Sequence, residues 1–82
     1  MSGHDLEIRA NVNGRGASVF LIMGGAQFAS RAREALVSRR ALTLPVVRPE
    51  DLRGPARALA ITRGGSTTIG FPADSIRDVR TV

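Results

Sequence analysis

The 82-residue chain has no cysteine, tryptophan, tyrosine or lysine. Without cysteine, no disulfide can staple the fold and no thiolate can hold a metal. The one histidine, His4, stands near the N-terminus. A structural zinc site needs about four ligands at set spacings, so neither a metal nor a cofactor is expected. The aromatics are Phe20, Phe28 and Phe71. All three fall where a core or an interface is expected, so stacking of single-stranded bases is not. The longest apolar run, "ASVFLIMGGA", is far short of the about 20 residues of a membrane-spanning helix. An export signal cut near Ala29 is not expected either. Asp5 and Glu7 interrupt the segment before it, and Gln27 stands where a small residue is wanted. A cytoplasmic location with no membrane partner is therefore expected. One domain of this size buries only about 60% of its unfolded surface. Its stability must come from aliphatic packing, backbone pairing or a second subunit.

Charge is what the sequence does have. The formal net charge is +5, and all twelve cations are arginine. Guanidinium binds phosphate and carboxylate in a two-pronged way that ammonium cannot. The codon usage of a GC-rich genome also favours Arg, Ala and Gly over Lys, and eleven alanines and nine glycines fit that explanation. Under either reading the surplus charge favours acidic partners.

"DLEIRANV", residues 5–12, alternates polar and apolar and predicts a strand with one buried face. "NGRG" is a turn signal, and "ASVFLIM" predicts a second strand that is apolar on both faces. Closing this hairpin with Asn13 opposite Gly16 pairs Ala10 with Val19, Ile8 with Leu21 and Leu6 with Met23. Phe20 and Ile22 are then left on the opposite, uncovered face. From about 26 to 39 the period changes: Phe28, Ala32, Ala35 and Leu36 recur at helical spacing, and Arg39 and Arg40 complement the helix C-terminus. "ALTLPVV" predicts an edge strand, because Pro45 cannot donate to a ladder. "RPEDLRGP" predicts a loop or a single helical turn.

In "ITRGGSTTIGF", Gly64-Gly65 sets a two-residue hairpin. Arg63 then pairs with Ser66, Thr62 with Thr67, Ile61 with Thr68 and Ala60 with Ile69. "PADS" predicts a short turn in which Asp74 caps the backbone, and "IRDVRTV" a last strand. The expected fold is α+β, a small ββαβββ domain with a mostly antiparallel sheet and one helix. The tight hairpin, short turn and final strand, about the last third of the chain, resemble small SH3-like or Sm-like barrels. That resemblance implies a closed barrel as the alternative architecture.

Catalytic patterns are not readable. His4 is the only histidine available as a general base, and it lies in a segment expected to fray. "GRG" and "RGG" match neither a P-loop nor a dinucleotide fingerprint. The expectation is a non-enzymatic, basic module that forms homo-oligomers and binds DNA or RNA mainly through backbone phosphates. Arg33, Arg39 and Arg40 are the first expected contacts, followed by Arg15 and Arg63 at turn tips. Phe20, Ile22, Leu59 and Ile61 are the expected oligomer interface. A protein–protein adaptor with no nucleic-acid role is the alternative.

Overall fold

The alternating N-terminal stretch forms strand β1 (Leu6–Ala10) in the computed structural model, which describes residues 3–46, 52–53 and 60–82. It is followed by β2 (Ser18–Ile22), a 3₁₀ turn (Gly25–Phe28), helix α1 (Ala29–Ser38) and β3 (Leu42–Val46). The two-residue strand β4 (Leu52–Arg53), then β5 (Ala60–Arg63), β6 (Ser66–Phe71) and β7 (Ile76–Thr81), complete the order. The fold is α+β, with one sheet ordered β4-β2-β1-β7 and a second ordered β3-β6-β5, antiparallel throughout. Five strands follow the helix, the four read individually from the sequence and Leu52–Arg53, against the three that a ββαβββ order counts. Among the described residues no strand pair joins the two sheets, so they do not close into a barrel. Leu52–Arg53, expected in a loop or helical turn, pairs with Leu21 and Ile22 of β2.

The β5–β6 hairpin has the register its turn dictates: Arg63 faces Ser66, Thr62 faces Thr67, Ile61 faces Thr68 and Ala60 faces Ile69. Gly64 and Gly65 have φ of 56° and 81°, the left-handed pair of a type I′ turn. The Thr62 and Thr67 hydroxyls meet at 2.9 Å across the ladder. β3 is an edge strand, and Pro45 lies opposite Thr68.

The β1–β2 hairpin is one residue out of the expected register. Leu6 faces Ile22, Ile8 faces Phe20 and Ala10 faces Ser18. Side chains alternate with period two, so this single step exchanges the two faces of β2. Phe20 and Ile22, expected on the uncovered face, are each only 2% exposed in the core. Val19 and Leu21 take the outer face instead. Two causes act together. The connection is not a tight turn but a loop over residues 11–17, folded on its own asparagines: Asn11 Oδ1 accepts from the Gly14 amide (2.9 Å) and Asn13 Oδ1 from the Arg15 amide (3.0 Å). The observed register also brings Phe20 edge to face with Phe71 of the facing sheet, a contact that the alternative register, with Val19, Leu21 and Met23 inward, would lose.

The interior faces meet across Phe20 of one sheet and Phe71 of the other. Their rings stand edge to face at 87°, with centroids 5.3 Å apart. Leu6, Ile8 and Ala10 of β1, Leu42 and Leu44 of β3, Ile69 of β6, and Ile76 and Val79 of β7 fill the space around them. α1 buries Ala29, Ala32 and Ala35 and packs mainly against β7. Small side chains at that spacing let the helix lie close to the strand. Gly25 sits where the chain turns from β2 toward the helix. A Cβ there would meet Ile22 Cγ2 at 2.9 Å and Leu6 Cβ at 3.1 Å, so the residue is glycine for want of space.

Three stability outcomes follow, each measurable by urea denaturation. Gly65→Val should cost about 1–3 kcal/mol through backbone strain, and an unchanged midpoint would contradict the turn geometry. Gly25→Ala should cost about 1–3 kcal/mol by overpacking against Ile22 and Leu6. Phe20→Ala should cost about 3–5 kcal/mol; a loss below about 1 kcal/mol would put Phe20 back on the surface and restore the other register.

Candidate anion-binding end

The chain topology gathers one end of the molecule. β1 leads into the 11–17 loop, and the Asn11 amide donates to the Ser75 carbonyl at 2.8 Å, tying that loop to the β6–β7 turn. The turn itself is closed by Ser75, whose amide and hydroxyl both donate to the Pro72 carbonyl, at 3.2 and 2.6 Å. The C-terminus of α1 arrives at the same place, because Arg39 Nε lies 4.0 Å from Asp74 Oδ1. Arg39 ends the helix with φ 56°, a left-handed cap, and the amides of Arg39 and Arg40 both donate to the Ala35 carbonyl. This satisfies the orphan carbonyl that a helix end otherwise exposes.

The sequence-expected contacts therefore divide. Arg15, Arg39 and Arg40 stand at this end, all exposed. Arg33 is also exposed but lies six residues earlier on the helix, about 9 Å along its axis. Arg63 is next to the β5–β6 turn, at the far end of β6 and about 17 Å from Phe71 at 3.4 Å per residue. Of the expected interface residues, Ile61 is 53% exposed, Phe20 and Ile22 are interior, and Leu59 lies outside the described residues.

Two groups at this end were not among the contacts expected from sequence. Arg77 is the second residue of the final strand, at the bulge opposite Arg9 and Ala10 of β1, and its Nη1 donates to the Asp74 carbonyl at 2.7 Å. Asp74, expected as a turn cap, has φ 62° and directs its carboxylate to arginines, with Arg77 Nη1 at 3.9 Å and Arg39 Nε at 4.0 Å. The Asp74–Arg77 spacing is visible in the sequence, but the approach of the helix end that adds Arg39 is tertiary. Leu36, Arg39, Asp74, Ile76 and Arg77 line an open cleft of about 400 Å³.

Elsewhere the charges are arranged differently. On the outer face of the four-stranded sheet, Arg80 pairs with Glu7 at 3.3 Å and Asp78 at 3.7 Å. Arg31 lies over the Phe28 ring, 5.8 Å from its centroid, which occupies the aromatic left nearest the surface. Among the described residues, Arg15, Arg33, Arg40 and Arg63 have no carboxylate within 4 Å, and no group of three or more His, Asp or Glu side chains could hold a metal. No described helix is long and apolar enough to cross a membrane. Comparison with protein-family models, curated proteins and solved structures finds no match.

The left-handed cap makes a clean test of Arg39. Glycine prefers that conformation, and an exposed ion pair at 4.0 Å contributes little. Arg39→Gly is expected to leave thermal stability unchanged or to raise it by up to about 1 kcal/mol. A clear loss of stability would show that the guanidinium holds the helix end in place.

Proposed function

We propose that this chain is a non-enzymatic basic module that binds nucleic acid through its backbone phosphates. The observation that supports this most is the gathering of Arg15, Arg39, Arg40 and Arg77 at one end, where Asp74 is the one close carboxylate among the described residues. Loops and element ends tied to a rigid sheet are where binding groups are commonly carried. No exposed aromatic platform accompanies them, because Phe20 and Phe71 are interior and Phe28 packs against the core. The binding proposed is thus electrostatic and tolerant of sequence. Fluorescence anisotropy with labelled duplex and single strands should show binding that weakens steeply with salt. Changing Arg15 and Arg40 to serine and Arg39 to glycine together should reduce the log–log salt slope by about 2–3, one counterion for each lost contact. Arg63→Ser should change it less. Absence of binding at about 50 mM salt with micromolar protein would remove this reading.

A second reading, self-association, is supported by the outer face of β2. Val19 and Met23 are 50% and 39% exposed, and Leu21 lies between them on the same alternation. β1 lines this stripe with Glu7 and Arg9, which stand opposite Leu21 and Val19. Opposite charges two residues apart are self-complementary about a twofold axis, since each Arg9 can share with Arg80 the Glu7 of a second copy. Sedimentation at micromolar concentration should show a dimer, and Val19→Glu should return it to a monomer. A wild-type monomer of 8.7 kDa would end this reading and leave the nucleic-acid one untouched.

A further inference from the structure

We propose that the cleft between the end of α1 and the β6–β7 turn is a seat for one phosphate group, and that the carboxylate of Asp74 occupies this seat when the protein is free. The inference rests on the phosphate-binding reading above and names the point of contact within it. Two guanidinium groups from different elements face a single oxygen, Asp74 Oδ1, from 4.0 Å (Arg39 Nε) and 3.9 Å (Arg77 Nη1). A charge-assisted hydrogen bond would be about 2.7–2.9 Å. The arginines are therefore aimed at the carboxylate without being bonded to it. Arg77 is held in place by a different bond, the 2.7 Å contact of its Nη1 with the Asp74 carbonyl. Its guanidinium has five N–H donors in all, so donors remain for an incoming anion. A phosphate offers more acceptor oxygens than the carboxylate and matches the guanidinium fork equally well.

Space and backbone agree with this assignment. The cleft holds about 400 Å³, within the range of small-ligand sites. Leu36 and Ile76 give it an apolar wall on which the sugar next to a phosphate can rest. Asp74 is in the left-handed region at φ 62°, where asparagine is as well tolerated as aspartate. The turn therefore requires a short polar side chain but not a negative charge. The charge acts on the two arginines, as a competitor for the position that a phosphate takes.

The experiment is a comparison of Asp74→Asn with a control, Glu34→Gln, which removes an exposed carboxylate from the helix outside the cleft. Anisotropy with labelled duplex and single strands should show Asp74→Asn binding about fivefold more tightly than wild type, the factor that a unit charge at about 4 Å is worth in water. Its log–log salt slope should steepen by about 0.9, because one more phosphate contact is free to release a counterion. Glu34→Gln should stay within roughly twofold of wild type. Amide shifts in a ¹H–¹⁵N NMR titration should localise to residues 36–40 and 74–77. Equal tightening by both variants would reduce the effect to net charge and overturn the seat. Unchanged or weaker binding by Asp74→Asn, with wild-type binding intact, would also overturn it while leaving the nucleic-acid reading in place. If neither strand type binds, inorganic phosphate is titrated against both proteins. Shifts in the cleft that are stronger in Asp74→Asn would keep the seat and discard nucleic acid as its source, and no shift in either would discard both.

Discussion

The contact between Phe20 and Phe71 is the constraint on which the rest of the fold depends. Each ring comes from the inner face of a different sheet, and they are the two largest fully buried side chains. Burying a phenylalanine contributes about 1.5–3 kcal/mol, and an edge-to-face pair adds about 0.5–1.5 kcal/mol. For a chain with no disulfide, no described metal cluster and few other large side chains, that is a substantial share of a net stability of about 5–15 kcal/mol. Once Phe20 must point inward, a one-residue shift of β2 against β1 is excluded, and Ile22 follows Phe20 into the core. The position of Ile22 in turn leaves no room for a side chain on Gly25, which sets where the 3₁₀ turn and the helix begin.

The same constraint fixes what remains outside. β2 is apolar on both faces, so any register leaves an apolar stripe uncovered. Had Val19 and Leu21 gone inside, Phe20 and Ile22 would have been exposed. The observed choice leaves Val19, Leu21 and Met23 on the outer face and keeps the Phe20–Phe71 contact, but it does not remove the stripe. An outer-face surplus was thus legible from composition, whereas its membership depended on a one-residue step.

The two hairpins show why one register could be read and the other could not. Gly64-Gly65 is flanked by strands that run directly into the turn, and both glycines take the positive φ that a two-residue loop demands. Local chemistry alone specifies the pairing. In the first hairpin, "NGRG" offers an equally strong turn signal, but the asparagine side chains bond to loop amides and widen the connection to seven residues, 11–17. The final pairing is then chosen by the core, through Phe20, and periodicity carries no record of that choice when both faces are apolar. The helix, the Pro45 edge strand and the last strand were readable because each has a local signal. The meeting of Arg39 with Asp74 and Arg77 was not, since it needs the helix end and the β6–β7 turn to be brought together by packing against β7.

The charge at that end is smaller than a count of arginines suggests. Among the described residues, Arg15, Arg39, Arg40 and Arg77 bring four positive charges, and Asp74 removes one. The C-terminus of α1 carries about half a negative charge, and Arg39 and Arg40 stand directly on it. About two and a half charges are left to face a ligand, enough for two or three phosphates. Contacts that few make binding weak at moderate salt. A twofold contact through the outer face of β2 would present two basic ends on one particle. Both could engage a single polyanion, and the second engagement would occur at high effective concentration. The two proposed surfaces are compatible for a structural reason. The basic groups lie at the end of the first sheet, in its 11–17 loop, near the start of β7 and on the adjoining end of α1, while the apolar stripe lies on its face, so a second copy seated on β2 need not cover the loop that carries Arg15 or the cleft beside Arg77.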